Sequence, residues 1–320
     1  MITNLVSIII PTYNRAHLIG ETLDSIMSQT HTHWECLVVD DGSTDHTHEL
    51  VAKYCTKDDR FKYLKRPDNR PKGGNAARNY GFENSNGEFI QWFDDDDVMG
   101  KNYLSERLNL FSENTKAVIC SGFCTDENLN VLNEISLKTE VNVYKEYALW
   151  RFEMYTPSVL FKKESLGDKP LNETISRGQE TEFFTRFFFQ LKQDDYVIVN
   201  TPLFYYRQHS KSKTEQNQTY VKRNKEDLFY ISQINFERAL QLKDKDLVYF
   251  YYKLLIKQFF RSVDNDHVNN AKNIIRFLTK TLNNKNLFLK LKLVLFSNIS
   301  IIFKRGYVLK KHLRNHNISM

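Results

Sequence analysis

The first 120 residues alternate short, mostly apolar runs with segments whose apolar residues recur every three or four positions. The runs Leu5–Ile10 and Glu35–Val39 predict strands buried on both faces, and further strands are predicted at Phe61–Leu64, Glu88–Phe93 and Ala117–Cys120. The periodic segments predict helices, from an Asn14 cap through Met27, from Ser43–Asp45 to Cys55, over Asn75–Asn84 and near Tyr103–Ser112. This alternation predicts an α/β fold with a doubly wound, mostly parallel sheet.

The pattern changes beyond about residue 216. Leu228–Val263 contains no Pro or Gly and carries apolar residues at helical spacing, which predicts one or two amphipathic helices. A further helix is predicted near Val268–Leu282, followed by a basic tail. We therefore expect two domains, an α/β domain over residues 1–215 and a helical region over residues 216–320.

Polar clusters follow three of the predicted strands. They are Thr12-Tyr13-Asn14, Asp40-Asp41 and Asp94–Asp97. Ligands of open α/β sheets bind outside the carboxyl ends of the strands, so three clusters at one edge predict a binding site there. Neither GxGxxG nor GxxxxGK[ST] occurs, which excludes a dinucleotide dehydrogenase or a P-loop enzyme.

Four consecutive carboxylates at Asp94–Asp97 are electrostatically costly. Neighbouring charges ~6 Å apart repel by about 2–3 kcal/mol at an effective dielectric near 20. In an extended chain the side chains of Asp94 and Asp96 point to the same face. Their carboxylate oxygens are suitable ligands for a hard cation such as Mg²⁺ or Mn²⁺. A solvated acidic turn beside a helix N-terminus is the alternative.

The charge of the chain is unevenly distributed. The net charge is +6, but the chain carries eleven Lys and Arg and no Asp or Glu after Asp266, which leaves −5 for residues 1–266. The four cysteines show neither disulfide-framework nor zinc-ligand spacing, and the first residues show no secretory signal. We therefore expect a cytoplasmic protein with reduced thiols, an acidic body and a basic tail.

The tail segment Leu287–Phe303 is apolar but interrupted by Lys290 and Lys292. Its uncharged part, Leu293–Phe303, is about half as long as a membrane span, so we expect no spanning helix. Flanking lysines instead favour an interfacial helix on an anionic membrane, with packing on the rest of the protein as the alternative. We expect no nucleic-acid partner, because no reader motif is present.

Several short motifs together resemble family 2 glycosyltransferases of the GT-A fold, of the kind that builds bacterial surface polysaccharides. In chain order they are Ser7–Arg15 (SIIIPTYNR), Val38–Asp45 (VVDDGSTD), Asn75–Gly81 (NAARNYG), Phe93–Asp97 (FDDDD), Gly178–Phe183 (GQETEF) and Tyr205–His209 (YYRQH). The resemblance covers roughly residues 4–210. It implies inverting transfer of a sugar from a nucleotide-diphospho-sugar, with a UDP-sugar expected, to a saccharide or lipid-linked saccharide.

The resemblance also implies roles for individual residues. The nucleotide-sugar would contact Pro11, Thr12, Tyr13, Asp41, Arg78, Asp94 and Asp95, and the metal would be ligated by Asp96, Asp94 and His209. Glu180 would be the catalytic base, with Glu182 as the alternative, although the family usually has Asp at the position of Glu180. Arg207 would pair with phosphate or with the acidic cluster.

Two other functions remain open at this point. A sugar-phosphate nucleotidyltransferase would normally carry a Gly-rich basic loop after the first strand, where this chain has Pro11–Arg15. A catalytically inactive nucleotide-binding or membrane-associated protein would not need the acidic cluster or a carboxylate at Glu180. The three functions differ in the product released: a glycosyltransferase releases a nucleoside diphosphate, a nucleotidyltransferase releases pyrophosphate, and an inactive protein releases neither.

Overall fold

The computed structural model describes residues 4–208, 219–304, 307–314, 316 and 318, which form two compact units. The first unit comprises Met1–Thr174 with Glu182–Glu215, and the second comprises Ile175–Thr181 with Gln216–Met320. The short segment Ile175–Thr181 belongs to the second unit, which the sequence did not indicate.

A nine-stranded sheet is the centre of the first unit. Its strands are β1 (Val6–Thr12), β2 (Trp34–Asp40), β3 (Phe61–Lys65), β4 (Phe89–Trp92), β5 (Val98–Met99), β6 (Ala117–Thr125), β7 (Val131–Glu134), β8 (Val159–Lys162) and β9 (Tyr196–Arg207). The order is β3-β2-β1-β4-β8-β6-β9-β5, and β7 pairs with β6 beside this path. β1, β2 and β4 are buried along nearly their whole length, as their mostly apolar runs predict.

The sheet is mixed rather than mostly parallel. β3, β2, β1 and β4 pair in parallel, and so do β6 and β9. β8 runs antiparallel to β4 and β6, and β5 runs antiparallel to β9. β6 and β7 form a hairpin because the Asp126 carboxylate accepts hydrogen bonds from the backbone of Asn128 and Asn130 and closes a tight turn.

The first unit also contains helices α1 (Ile19–Met27), α2 (Thr47–Lys57), α3 (Gly74–Glu83), α4 (Tyr103–Leu108) and α5 (Val143–Ala148), and α6 (Gln179–Phe189) begins in the second unit and continues into the first. α3 packs closely on β1 and β2, because Gly81 lies where a Cβ would collide with Ile9 and crowd Val39. The expectation that Asn14 caps α1 is wrong, since that helix begins at Ile19 and no side chain caps it.

The second unit is helical. It contains α7 (Lys222–Leu242), α8 (Lys245–Asp264), α9 (Val268–Thr281), α10 (Leu287–Phe303) and α11 (Tyr307–Arg314). The long periodic segment is two helices because Lys243 adopts a left-handed conformation, with φ of 53°. The Asp244 carboxylate then accepts hydrogen bonds from Asp246 N at 3.0 Å and Leu247 N at 3.1 Å, which starts α8.

One stretch of the second unit meets the length and composition of a membrane span. It is Asn284–Phe303, and 28% of its apolar 18-residue window is buried. The expectation that the interrupting lysines exclude such a stretch is wrong on this criterion. Lys290 and Lys292 lie within one continuous helix and do not end it.

Candidate active site

The three polar clusters lie at the carboxyl ends of adjacent strands. β2, β1 and β4 are neighbours in the sheet and run parallel. The loops that begin after Thr12 and Asp40 and the turn at Asp94–Asp97 therefore leave the sheet at the same edge. This is the edge at which open α/β sheets bind ligands.

The loops after β1 and β2 are held together by side-chain hydrogen bonds. Asn14 has φ of 54°, and its backbone N donates to Ser43 Oγ at 2.9 Å. Its side-chain Oδ1 accepts from Thr44 N at 2.8 Å. Arg15 N donates to Thr47 Oγ1 at 2.9 Å. Asn14 thus connects the two loops instead of capping a helix, a role that its sequence neighbours could not reveal.

Asp40 and Asp41 have different partners. Asp40 Oδ1 accepts from the backbone N of Gly42 at 3.0 Å and Ser43 at 2.7 Å, and its Oδ2 accepts from the Tyr63 hydroxyl at 2.7 Å. Burial and the Asp40 carboxylate raise the pKa of Tyr63 above its usual value, so this hydroxyl remains a donor. Asp40 therefore shapes the loop.

Asp41 is buried and forms an ion pair with Arg66. Arg66 Nη1 also donates to the carbonyls of Pro67 at 2.7 Å and Arg70 at 2.6 Å, so the guanidinium is fixed on both sides. The predicted base-reading carboxylate therefore already has a cationic partner. Nothing in the local sequence around Arg66 indicated this pairing, which spans 25 residues.

The residues expected at the nucleoside differ in exposure. Pro11 is half-buried and Thr12 buried, whereas Tyr13 is 43% exposed. The Lys72 ammonium lies 3.9 Å from the centroid of the Tyr13 ring, a cation–π geometry. Tyr13 is therefore the member of this loop that offers an open aromatic face, with a cation beside it that the sequence had not identified.

Asp94–Asp97 form a turn rather than extended chain. The side chains nonetheless divide as predicted, because Asp94 and Asp96 are half-buried whereas Asp95 and Asp97 are buried. The turn ends at β5, where the Asp97 carbonyl accepts from the Thr22 hydroxyl at 2.8 Å. The more accessible pair is therefore Asp94 and Asp96, the two residues predicted to ligate the metal.

Two arginines form ion pairs with carboxylates of this turn. Arg78, from α3, forms an ion pair with Asp94. Arg15 Nε lies 3.3 Å from Asp95 Oδ1, and its Nη2 lies 3.6 Å from Asp96 Oδ2. Arg78 was expected near a diphosphate, and it lies at the same edge of the sheet. The sequence indicated Arg15 only as part of the first motif, whereas in the structure it contacts the carboxylates of Asp95 and Asp96.

Two of the four carboxylates have strongly perturbed pKa values. Burial, reinforced by the neighbouring Asp96 carboxylate, raises the pKa of Asp95 to about 7. Burial and the same neighbour also raise the pKa of Asp97 well above its usual value. Burial is the larger cause of both shifts, and the neighbouring Asp96 carboxylate adds to it, so both groups favour the protonated form more than a solvated carboxyl group does.

The donor chemistry of the turn fits a hard divalent cation. Its ligand atoms are carboxylate oxygens, and Asp97 Oδ2 is buried without a hydrogen-bond partner. Over the described parts of the chain, no three His, Cys, Asp or Glu side chains are gathered closely enough to form a metal site alone. His209, the third expected ligand, lies outside the described residues. A cation held by this turn would take its remaining ligands from elsewhere, for example from phosphate oxygens, which commonly bind Mg²⁺.

Arg207 reaches the acidic turn through its backbone. Its N donates to Asp97 Oδ1 at 2.9 Å, whereas its buried guanidinium forms an ion pair with Glu21 and donates to the Glu127 carbonyl at 3.3 Å. The expected pairing of the Arg207 guanidinium with the acidic cluster is wrong, because that group pairs with Glu21 and only the main chain of β9 bonds to Asp97. The side chain connects other parts of the first unit.

The two candidate bases have contrasting environments. Glu182 is buried and forms an ion pair with Arg186 at 2.7 Å, which also donates to the Pro170 carbonyl at 2.6 Å. Glu180 lies in the first turn of α6 and is exposed. Glu182 is therefore part of the packing of the first unit, whereas Glu180 belongs to the second unit and is accessible.

The segment that leads to Glu180 is anchored by Asp227 of α7. Asp227 is buried, and its Oδ2 accepts from Ser176 N at 2.7 Å, Ser176 Oγ at 2.8 Å and Arg177 N at 3.1 Å. Gly178 follows with φ of +75°, and a Cβ there would lie 2.7 Å from Ile231 Cδ1. Both the carboxylate and the glycine thus fix the start of α6 on α7, within the second unit.

Comparison with known proteins identifies the family. The model of glycosyl transferase family 2 matches residues 7–175, just over half of the chain. An uncharacterized glycosyltransferase of Rickettsia conorii is 41% identical over 34% of this chain, and the match spans only 17% of that relative. EpsH of Bacillus subtilis, provisionally named a glycosyltransferase, is 27% identical over 91% of this chain and 82% of its own length.

Solved structures share the fold across both units. Staphylococcus aureus TarS (residues 1–349), in complex with UDP-GlcNAc, has a TM-score of 0.68 at 18% identity and covers 97% of this chain and 89% of that one. The mannosyltransferase PcManGT of Pyrobaculum calidifontis, in complex with GDP-Man and Mn²⁺, has a TM-score of 0.52 at 15% identity, with coverage of 97% and 83%. The expected GT-A fold with a C-terminal helical region is confirmed. The chain belongs to glycosyl transferase family 2.

Proposed function

We propose that this chain is an inverting, divalent-metal-dependent glycosyltransferase of surface polysaccharide biosynthesis. The observation that carries the proposal is the grouping of an open tyrosine, an acidic turn and two arginines at the carboxyl ends of three adjacent parallel strands. The comparisons support it, because TarS was solved with UDP-GlcNAc and a further relative, TuaG of Bacillus subtilis, is provisionally named for teichuronic acid biosynthesis.

The donor is a nucleotide-diphospho-sugar, with a UDP-sugar as our first choice. Pro11, Thr12 and Tyr13 line the nucleoside pocket, and the exposed Tyr13 ring supplies a stacking face. Asp41, held by Arg66, accepts a hydrogen bond from the base. Arg78 and Arg15 can donate to phosphate oxygens as they now donate to carboxylates.

Asp96 and Asp94 are the residues that would hold Mg²⁺ or Mn²⁺, with His209 as a third ligand. When bound, the ion stabilises the negative charge that develops on the departing nucleoside diphosphate. The Asp95 carboxylate pairs with Arg15 and orients its guanidinium toward the donor. PcManGT, which shares the fold, was solved with Mn²⁺.

Glu180 is the catalytic base of the proposed reaction. It accepts the proton of the acceptor hydroxyl while that oxygen bonds to the anomeric carbon and the bond from this carbon to phosphate breaks, which inverts the anomeric centre. Base catalysis of this kind contributes about 10²–10⁴-fold. Its exposure supports Glu180 over Glu182, whose carboxylate is buried with Arg186.

The acceptor is a saccharide or a lipid-linked saccharide, and the enzyme works in the cytoplasm at the inner face of the plasma membrane. The basic, apolar C-terminal tail supports this location. A lipid-linked acceptor would share that surface with the enzyme, so both reactants would be concentrated in one layer.

The donor and the metal are tested together by thermal stabilisation. UDP-, GDP- and dTDP-sugars are each added with Mg²⁺, with Mn²⁺ or with EDTA, and the melting temperature is followed. We expect one donor class to raise it only with metal, and Asp96→Ala to abolish that rise. Asp59→Ala, an exposed aspartate in the loop before β3, is the matched control and should respond like the wild type.

The result also separates the alternative activities. Equal stabilisation of Asp96→Ala and wild type by donor and metal would remove Asp96 from the metal site. Release of pyrophosphate from a nucleoside triphosphate and a sugar phosphate would instead identify a nucleotidyltransferase. Donor binding without any transfer to saccharide or lipid-linked acceptors would leave a nucleotide-binding protein.

A further inference from the structure

Helix α10 of the second unit presents an apolar stripe to solvent. Its exposed large apolar side chains are Leu287, Phe288, Leu291, Val294, Leu295, Ile302 and Phe303. Four of these seven are more than 60% exposed, with Ile302 at 72%. Exposed apolar residues are normal when scattered, but a continuous set along one helix indicates a binding surface.

Six of these positions, all but Phe303, share one face of the helix. At 100° per residue, Leu287 to Ile302 fall within an arc of about 120°, interrupted only by Asn298. The opposite face carries the buried residues Leu289, Leu293, Ser297 and Ser300, which pack within the second unit. α10 therefore has one face that packs within its own unit and another that is mostly exposed, where the described ring contact is that of Phe288 with His316 at 6.2 Å between centroids.

Two lysines border the apolar stripe. Helical geometry places Lys290 about 100° to one side of its centre and Lys292 about 100° to the other. Both are half-buried, and the Lys292 ammonium lies 4.3 Å from the centroid of the Phe288 ring. Each long side chain thus runs beside apolar surface and ends in a charge at its edge, as lysines do at a membrane interface.

We propose that this face of α10 docks into the boundary between head groups and acyl chains of an anionic lipid bilayer. The observation that selects this partner is charge complementarity, because the chain after Asp266 has eleven Lys and Arg and no carboxylate side chain. Two copies meeting through this face would bring their bordering lysines together. The proposal specifies the surface behind the membrane location given above and does not depend on the transferase reaction.

The helix lies in the interface instead of crossing the bilayer. A spanning α10 would have to separate Leu289 and Leu293, both fully buried, from the rest of the second unit. It would also place Lys290 and Lys292 in the hydrocarbon region, where charged side chains are expensive. An interfacial helix keeps both the packing of the unit and the hydration of the lysines.

The test is flotation of the full chain with vesicles of phosphatidylcholine alone or mixed with phosphatidylglycerol, without donor or acceptor. We expect binding only to the anionic vesicles, weakening as salt is added. The double variant Leu291→Glu, Leu295→Glu should bind about tenfold less or worse. The matched control is Leu132→Glu, 57% exposed on β7 like Leu295 on α10, which should bind as the wild type does.

A second pair of variants tests the charges. Lys290→Glu with Lys292→Glu should lower binding to anionic vesicles about tenfold, whereas Lys53→Glu with Lys57→Glu, the same charge change on α2, should not. Unchanged melting temperatures would show that the variants fold.

Four results would overturn the proposal. The first is that the wild type binds neither type of vesicle, and the second is that the double variant Leu291→Glu, Leu295→Glu binds as tightly as the wild type. The third is that the protein stays on membranes washed with alkaline carbonate, and the fourth is that the wild type forms a dimer that these two substitutions dissociate. The third would indicate a spanning helix and the fourth a second copy on the same face.

Discussion

Asp227 provides a test of the catalytic role proposed for Glu180. Its carboxylate accepts three hydrogen bonds from Ser176 and Arg177, two residues that precede the turn bearing Glu180. Hydrogen bonds to a charged group are worth about 1.5–3 kcal/mol each, and water recovers part of this when the segment opens. Asp227→Ala should therefore weaken this attachment by about 3 kcal/mol, so that segment 175–181 opens about 100-fold more often.

The assay combines hydrogen exchange with steady-state kinetics. Backbone amides of residues 176 and 177 should exchange faster in Asp227→Ala. The kcat should fall about tenfold or more, because a mobile Glu180 is aligned less often with the acceptor. The KM for the donor should stay within about twofold of wild type, since residues 175–181 are not among those proposed to bind the donor. Asp227→Asn keeps an acceptor oxygen and should restore part of both properties.

The matched control is Asp264→Ala, which removes an exposed carboxylate at the end of α8 in the same unit. It should leave exchange and kinetics unchanged. If Asp227→Ala accelerates exchange at residues 176 and 177 while kcat remains at the wild-type value, the segment does not position a catalytic group, and the reasoning about Glu180 is wrong.

Two further predictions concern other carboxylates. Glu180→Gln should keep the donor-induced rise in melting temperature and lower kcat about 10²-fold or more. Glu182→Gln should instead lower the melting temperature, because it breaks the buried ion pair with Arg186. If Glu180→Gln turned over as fast as the wild type, Glu180 would not be the base. Glu35 is buried, which alone would raise its pKa, but hydrogen bonds from Lys62, Ser7 and Asn86 lower the pKa to about 2. Because this pKa lies below that of Glu35 in the unfolded chain, the ionised carboxylate stabilises the fold fully above about pH 4.5, and this stabilisation is lost as the pH falls towards 2. Glu35→Gln should therefore lower the free energy of unfolding in urea by about 2–3 kcal/mol at pH 7 and by little near pH 2. An equal loss at both pH values would exclude this linkage.

Local pattern was sufficient for the elements that bury one continuous surface. β1, β2 and β4 are mostly apolar runs, and α9 carries a regular apolar stripe, so their limits agree with those predicted from the sequence to within two residues. The edge of the sheet that carries the site followed from the same pattern, because the carboxyl ends of parallel strands share one side.

Long-range pairs were not predictable in this way. Asp41 with Arg66 and Arg15 with Asp95 join residues 25 and 80 positions apart, and no periodicity links them. The attachment of Ser176 to Asp227, 51 positions away, likewise depends on how α7 packs. Charge balance indicated that the acidic turn needs cations, but the fold decides which arginines supply them.

The most direct measurement of the central claim is the product of a complete reaction with the donor that stabilises the protein. The account predicts release of one nucleoside diphosphate for each glycosidic bond formed, loss of both products on exhaustive chelation, and their return when Mg²⁺ or Mn²⁺ is restored. Transfer that continues undiminished in the chelator, or pyrophosphate as the released product, would contradict it.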